Sequence, residues 1–150
     1  MAGKLVAYFS ASGITRRAAE RLAAREGADL FEIQPAHPYT DADLNWMDPG
    51  SRSTLEMKDR STRVEIAGKV RDMDQYGEIL LCFPIWWGVA PHIINSFLEQ
   101  YDLSGKTISP FATSGGSGYG RANQELEPSA PGAEFNPGRM MRHAEGEQAE

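Results

Sequence analysis

Three hydroxyl side chains and one glycine stand close together near the start of the 150-residue chain. Residues 10–15 read Ser-Ala-Ser-Gly-Ile-Thr and separate an apolar run, residues 5–9, from residues 14–26, whose apolar positions recur at helical spacing. A loop between a strand and a helix presents unpaired backbone N–H groups and the positive end of the helix dipole. Hydroxyls that donate and a glycine that permits close approach therefore indicate a phosphate-binding loop.

The residues that this loop does not contain indicate which class of phosphate ligand it binds. A nucleoside-triphosphate loop requires G-x-x-x-x-G-K-[ST], and the first glycine and the lysine are absent. The dinucleotide pattern G-x-G-x-x-G is absent as well, because Ser10 and Ser12 stand near the places of two glycines. Hydroxyls and amides without a lysine suit a single terminal phosphate. An ordinary loop in which Ser or Thr caps the helix is the alternative.

Two further loops carry unusual residues. Residues 84–90 hold Trp86 and Trp87 side by side, and large aromatic planes in a loop suit a flat ligand ring. Residues 114–120 read Ser-Gly-Gly-Ser-Gly-Tyr-Gly, so main-chain N–H groups could reach the oxygens of such a ring. The alternatives are tryptophans that pack in the core and a flexible glycine loop without a ligand.

Alternating strand and helix patterns must position these three loops. The predicted strands are residues 5–9, 30–33, 78–83, 107–113 and, as a short fifth strand, 133–135. The predicted helices are residues 14–26, which end at Gly27 as a cap, residues 64–74, a stretch with Pro91 in its first turn, and residues 121–126. This alternation predicts an α/β fold, a three-layer doubly wound parallel sheet. Ligands bind outside the carboxyl ends of such strands, where all three loops lie.

All three loops resemble those of one known family. Residues 10–15 fit S-x-S-G-x-T, which is similar to the phosphate loop [ST]-x-[ST]-G-x-T of the flavodoxins. Pro-Ile-Trp-Trp-Gly at 84–88 and Thr-Ser-Gly-Gly-Ser-Gly at 113–118 resemble the two ring-binding loops of that family. The segments Y-T-x-x-D-L-N-W and S-R-S-x-x-E-M, within residues 39–57, resemble its short-chain bacterial branch.

This resemblance covers residues 4–136 and implies the flavodoxin-like strand order 2-1-3-4-5, with FMN as the cofactor. The implied FMN contacts are Ser10, Ser12, Gly13, Ile14, Thr15, Pro84, Ile85, Trp86, Trp87, Gly88, Thr113, Ser114, Gly115, Gly116 and Gly118. The implied function is an electron carrier that shuttles electrons between redox partner proteins, a reductase and an acceptor. An FMN-dependent NAD(P)H:quinone-type oxidoreductase is the alternative, because the motifs do not separate the two. A phosphate-binding regulatory or scaffold domain with a vestigial flavin site is the third hypothesis.

Aromatic cover and acidic surroundings would disfavour the anionic reduced flavin. We hypothesise that the peptide at Gly88 turns so that it accepts a hydrogen bond from N5 of the reduced flavin. No residue is assigned a catalytic role. His37, His92 and His143 are scattered and lack the spacing of metal ligands.

Charge and cysteine content exclude other classes of protein. A formal net charge of −6 and a pI near 5.1 argue against nucleic acid as a partner and favour basic partner proteins. The one cysteine, Cys82, excludes an intrachain disulfide, and its apolar neighbours favour a buried, inert thiol. Residues 79–98 carry no Asp, Glu, Lys or Arg, but prolines and a glycine interrupt them, so we expect no membrane span. We expect one soluble domain over residues 1–150, cytoplasmic, as a monomer or homodimer.

Two segments depart from a simple doubly wound chain. Residues 39–63 are longer than an ordinary crossover, with one or two helical turns predicted at 51–58, and we interpret the segment as a lid over one edge of the sheet. Residues 138–150 lack the apolar stripe of a closing helix. We expect a mobile tail or an incomplete last helix there, in which Met140 and Met141 can dock.

Overall fold

The computed structural model of the protein describes residues 3–11, 13–113, 121–142 and 147–148. Its strands are β1 (Gly3–Tyr8), β2 (Asp29–Glu32), β3 (Gln34–Pro35), β4 (Ile66–Ala67), β5 (Tyr76–Pro84), β6 (Thr107–Thr113), β7 (Glu134–Phe135), β8 (Arg139–Arg142) and β9 (Glu147–Gln148). Its α-helices are α1 (Ile14–Glu26), α2 (Arg52–Lys58), α3 (His92–Glu99) and α4 (Ala122–Leu126), with short 3₁₀ turns at Met73–Gln75 and Glu127–Ser129. None of these helices combines the length and the apolar character needed to cross a bilayer.

Parallel pairing orders the main sheet as β2-β1-β5-β6, with β7 and β8 at its far edge. Val6 of β1 lies opposite Leu30 of β2 and Leu80 of β5, and Leu80 lies opposite Ser109 of β6. β5, β6 and the two pieces β7 and β8 correspond to the predicted third, fourth and fifth strands. The α/β doubly wound class and the order 2-1-3-4-5 are therefore confirmed. β3 and β4 form a separate antiparallel pair.

Side chains of the central strands alternate between two buried faces. Ala7 and Leu81 pack on one face with Ile94 and the rest of the α3 side, whereas Val6 and Leu80 pack on the other face with α1. β5 is buried on both faces, which explains why its sequence is a continuous apolar run rather than an alternating one. Helices on both faces of one sheet complete the three predicted layers.

β6 has its predicted bounds although it contains Pro110, which has no N–H to donate to a neighbouring strand. On its outer side, β6 pairs with β7 up to Ile108 and with β8 from Phe111 onward. Pro110 lies opposite the interruption between these two pieces. A strand tolerates proline where the ladder is already broken.

The predicted helix over residues 64–74 is wrong. The stretch contains β4, which pairs with β3, and only a 3₁₀ turn at its end. The backbone N–H of Val64 donates to Ser96 Oγ at 2.8 Å, and that of Val70 donates to Tyr101 Oη at 2.9 Å. Side chains of α3 and of the residues that follow it thus replace helical hydrogen bonds. This tertiary effect overrides the helical spacing of the apolar residues.

The predicted mobile tail or incomplete last helix over residues 138–150 is corrected for the part of that range that the structure describes. β8 extends the sheet beside β6, with Ala112 opposite Met140, and β9 pairs with β8 in antiparallel register. Met141 is buried in the core on the α1 face. The two methionines do dock, but on a strand, because β6 offers an open backbone edge beyond β7.

Candidate functional site

The loop after β1 leaves the first turn of α1 without a side-chain cap among the described residues. Gly13 is the cap residue, and its φ of 93° lies in the left-handed region that favours glycine. Ser10 Oγ accepts a hydrogen bond from the Gly13 N–H at 2.9 Å, within the loop itself. The described hydroxyls therefore do not act as an ordinary helix cap, and a helix start without such a cap leaves N–H groups that can bind an anion. Ser12 lies outside the described residues.

Thr113 connects the phosphate loop to the other two predicted loops. Its hydroxyl hydrogen-bonds to that of Thr15, with 2.8 Å between the two Oγ1 atoms, and both side chains are buried. The carbonyl of Thr113 accepts a hydrogen bond from the Ile85 N–H at 3.1 Å, and Pro84 lies opposite Thr113 in the sheet. The carboxyl ends of β1, β5 and β6 thus meet at one point. The remaining predicted contacts of the third loop, Ser114, Gly115, Gly116 and Gly118, lie outside the described residues.

The second loop is a tight turn that begins at Trp86 and ends at Val89. The N–H of each of these residues donates to the carbonyl of the other, at 2.8 and 3.1 Å. Trp87 and Gly88, the two central residues, have φ values of 53° and 81°, and positive φ at both positions is the mark of a type I′ turn. Positive φ is unusual for a bulky residue such as Trp87, so the surrounding structure must hold the turn in place.

The carbonyl of Gly88, the peptide hypothesised to turn towards the flavin, is already engaged. It accepts a hydrogen bond from the Arg121 N–H at 2.7 Å, at the start of α4. An added Cβ on Gly88 would meet no heavy atom within 4 Å, but its φ of 81° would strain any other residue. Rotation of the Gly88 carbonyl would therefore have to break its bond to α4.

The structure gives the two tryptophans different surroundings. Trp86 packs edge-on against Phe9 and Tyr39, with ring centroids 5.7 Å apart in both pairs. Trp87 has 48% of its surface exposed. The core-packing alternative thus describes part of the environment of Trp86 but not that of Trp87.

The long segment that we interpret as a lid contacts this aromatic group. The ring of Tyr39 lies 3.9 Å from the Arg52 guanidinium carbon and 5.7 Å from the ring of Phe9, centre to centre. The Tyr39 hydroxyl donates to a carboxylate oxygen of Glu56, whose other oxygen accepts from Arg52 Nε at 2.9 Å. Burial, and then the bond to Glu56, raise the pKa of Tyr39 well above its usual range. A protonated phenol therefore ties the beginning of the segment to α2 within the same segment, and α2 has the helical turns predicted at 51–58.

Sequence reasoning did not assign Phe9, Tyr39, Leu44, Trp46 or Ser53 to the site. Leu44, Trp46 and Ser53 line a cavity of about 360 Å³ together with residues 85–87. The two family-like segments within residues 39–57 were the available signal, because an unusually long connection with aromatic residues often carries function.

The remaining reactive side chains lie away from this junction or are inert. Cys82 is fully buried, and burial raises the pKa of its thiol, as an inert core cysteine requires. Burial, and then the nearby Arg63, lower the pKa of His92. Among the described residues, no three His, Cys, Asp or Glu side chains are grouped as a metal site would need.

Several known proteins are similar to this chain in structure. A protein of Bacteroides eggerthii described as a flavoprotein is 47% identical, with a TM-score of 0.89 over 93% of this chain and 88% of that one. Another, of Bacteroides uniformis, is 46% identical, with a TM-score of 0.89 over 93% of this chain and 90% of that one. A flavoprotein of Lactobacillus acidophilus in complex with FMN is 20% identical and shares the fold, with a TM-score of 0.73 over 93% of each chain.

None of the curated proteins matches this chain. The family model Flavodoxin_4, described as flavodoxin, matches residues 3–149, which is nearly the whole length. The chain belongs to the flavodoxin family.

Proposed function

We propose that the protein binds FMN and carries electrons between redox partner proteins, a reductase and an acceptor. The contacts of Thr113 with Thr15 and Ile85, beside a first turn of α1 that no described side chain caps, are the observation that supports this most. The similar flavoprotein of Lactobacillus acidophilus is itself in complex with FMN. Bound FMN would supply the ability to accept and release one or two electrons.

The donor set fits the two ends of FMN. The N–H groups at the start of α1, with the hydroxyl of Ser10, are suited to the dianionic phosphate, because the helix dipole and the unpaired N–H groups both favour negative charge. The turn at Trp86 and Trp87 offers aromatic surface for the ring, at the same edge of the sheet. In this arrangement α1 holds the phosphate and the tight turn orients the ring.

Exposed aromatic surface and overall charge support transfer to protein partners. Trp87 is half exposed beside the proposed ring site, so a partner could approach the ring closely there. The net charge of −6 favours association with basic partners and disfavours the anionic reduced cofactor. The first effect suits electron transfer between proteins, and the second lowers the reduction potential of the cofactor.

Equilibrium binding of FMN and of riboflavin to flavin-free protein tests the cofactor site. We expect the flavin fluorescence of FMN to be quenched on binding. Riboflavin should bind at least about tenfold more weakly, because it lacks the phosphate that α1 would hold. Equal affinity for the two flavins would show that residues 10–15 do not bind the phosphate. No binding of either would remove the whole proposal.

The source of electrons tests the carrier role separately. FMN-loaded protein is mixed under anaerobic conditions with NADPH or NADH, alone and with a flavodoxin reductase, and the flavin absorbance is followed. We expect reduction only with the reductase present. Rapid reduction by the nicotinamide nucleotide alone would instead favour the oxidoreductase alternative.

A further inference from the structure

A cavity of about 400 Å³ lies at the start of α3, between the end of α2 and the start of α4. Its described lining includes Arg60, Trp87, His92, Arg121 and Glu125. We propose that this cavity, the α3 cavity, binds a small organic acid through its carboxylate. The proposal does not depend on the FMN site.

His92 is a buried group without a partner at this cavity. It is the first residue of α3, its side chain is 6% exposed, and its Nδ1 atom forms no hydrogen bond with a described residue. Buried polar atoms are as a rule paired, because an unpaired one costs free energy. When it carries the ring proton, Nδ1 can donate to a ligand oxygen. A ligand in the cavity would therefore supply the partner that the described chain does not.

The start of α3 offers further donors. Pro91 precedes the helix, and no described side chain caps its first turn. A helix start without such a cap leaves backbone N–H groups that can bind an anion, and the helix dipole favours negative charge there. An anionic oxygen beside His92 would thus meet a ring donor and a helix start together.

The charges of the lining favour an anion over a cation. Both carboxylate oxygens of Glu125 accept from Arg60, Oε1 from Nε at 3.2 Å and Oε2 from Nη2. Arg60, and after it Arg121, lower the pKa of Glu125, so both guanidiniums lie near this carboxylate. Arg121 itself forms no ion pair with a described residue. The described lining therefore carries an excess of one positive charge, in a protein whose net charge is −6.

Other carboxylates near His92 are already bonded elsewhere. Glu56 accepts from Arg52 Nε at 2.9 Å. Asp59 accepts from the N–H and the hydroxyl of Ser61, at 2.9 and 2.7 Å. Neither carboxylate belongs to the described lining of the α3 cavity, so neither occupies the place of the ligand.

The size and the remaining walls define the rest of the ligand. One excess positive charge suits a monoanionic carboxylate rather than the dianionic phosphate for which the start of α1 is proposed. Met57, Val89 and Trp87 add apolar surface, which suits a compact hydrocarbon body. The volume lies within the range of small-molecule sites, roughly 300–1,000 Å³.

Calorimetric titration with cyclohexanecarboxylate tests the proposal. Cyclohexylmethanol is the neutral analogue and cyclohexylmethylammonium the cationic one, and none of the three reacts with flavin. We expect the carboxylate to bind at least about tenfold more tightly than either analogue, because only the carboxylate gains charge-assisted hydrogen bonds. Equal binding of the carboxylate and the alcohol, tighter binding of the ammonium compound, or no binding of the carboxylate would overturn the proposal.

Variants test the charges of the lining. We expect Arg121→Gln to weaken carboxylate binding about fivefold and to leave the binding of the alcohol unchanged. Glu125→Gln should strengthen carboxylate binding about threefold, because it removes the negative charge that Arg60 now faces. Arg71→Gln is the matched control, since Arg71 is exposed but lies outside the described lining. An equal loss in Arg71→Gln, or weaker binding in a folded Glu125→Gln, would overturn the proposal.

NMR of the histidine ring nitrogens locates the bound carboxylate. We expect cyclohexanecarboxylate, but not cyclohexylmethanol, to raise the pKa of His92, because a nearby negative charge favours the protonated ring. The charges that already act on this ring, those of Arg63, Glu56 and Glu125, are the same in both titrations. His37 is the internal control, since it does not belong to the described lining. An unchanged pKa of His92 in the acid-bound protein would place the carboxylate elsewhere and overturn the proposal.

Competition with FMN separates this inference from the proposed function. Trp87 is the one described lining residue that is also an implied FMN contact. We expect FMN-loaded and flavin-free protein to bind cyclohexanecarboxylate alike. If FMN abolishes this binding, the α3 cavity belongs to the cofactor site and the inference is overturned. If the carboxylate binds but FMN does not, the cavity is supported and the cofactor proposal fails.

Discussion

The phosphate end and the aromatic end of the site are built in opposite ways. At the phosphate end, Thr15 and Thr113 are 2% and 4% exposed and bonded to each other. At the aromatic end, Trp46 and Trp87 are 68% and 48% exposed. Buried, fixed donors suit a charge that stays in one place, whereas ordered exposed apolar surface suits partners or ligands that come and go. Under the proposed function, the buried end would anchor the cofactor and the exposed end would make exchangeable contacts.

The largest effect should come from breaking the hydrogen bond between Thr15 and Thr113 at the phosphate end. Thr113→Val leaves the buried Thr15 hydroxyl without a partner, so we expect a loss of about 1–3 kcal/mol in the free energy of unfolding and weaker FMN binding. Urea unfolding and FMN titration measure the two effects. Thr107→Val, at the other end of β6, is the matched control and should leave FMN affinity unchanged. Equal FMN affinity in both variants would show that the junction does not support the cofactor.

The two ends of α1 offer a matched pair of glycines. Gly13 and Gly27 both have positive φ, 93° and 63°, so alanine at either position should cost about 1 kcal/mol of folding stability. Only Gly13→Ala should also weaken FMN binding, because only the amino end of α1 faces the phosphate loop. Weakened binding in Gly27→Ala as well would mean that global destabilisation, and not the loop, causes the effect.

A change in the long segment should affect stability more than cofactor binding. Glu56→Gln removes the charge that accepts from Tyr39 and Arg52, and we expect a loss of about 1 kcal/mol in unfolding free energy. Glu65→Gln, at an exposed position, is the control. FMN affinity should fall less than in Thr113→Val. A larger fall in FMN affinity than in Thr113→Val would show that the long segment helps to anchor the cofactor.

The smallest effect is on the pH dependence of the unfolding free energy, and it comes from His92, which lines a cavity with Trp87 and Arg121. Burial lowers the pKa of His92 below the value near 6.5 that it has when unfolded, so the unfolded chain binds more protons in this range. The stability that neutral His92 contributes is present above pH 6.5 and is lost as the pH falls towards its folded pKa. Urea unfolding at pH 7.5 and pH 5.5 should therefore show a smaller decrease for His92→Gln than for the wild type. An identical decrease would show that other groups cause the acid sensitivity.

Local patterns predicted much of the scaffold. The apolar run of β5, the bounds of β6 and the cap at Gly27 follow from residue types that act over a few positions, and the structure has all three. The helix predicted over residues 64–74 failed, because its apolar spacing is satisfied by packing against α3 in a non-helical conformation. β8 was missed because a strand that lies at an open edge needs little pattern of its own.

The sequence by itself determined the alternation of strands and helices and the residue types of the three loops, since strand and helix patterns act locally, whereas the strand order was implied by the resemblance to the flavodoxins. Only the tertiary structure decided how these loops meet. Thr15 bonds to Thr113, 98 positions away, and Trp86 packs against Phe9 while its neighbour Trp87 is exposed. It also placed Trp46 and Ser53 on the cavity wall. Contacts between residues distant in the chain depend on how whole elements pack, and no pattern along the sequence encodes them.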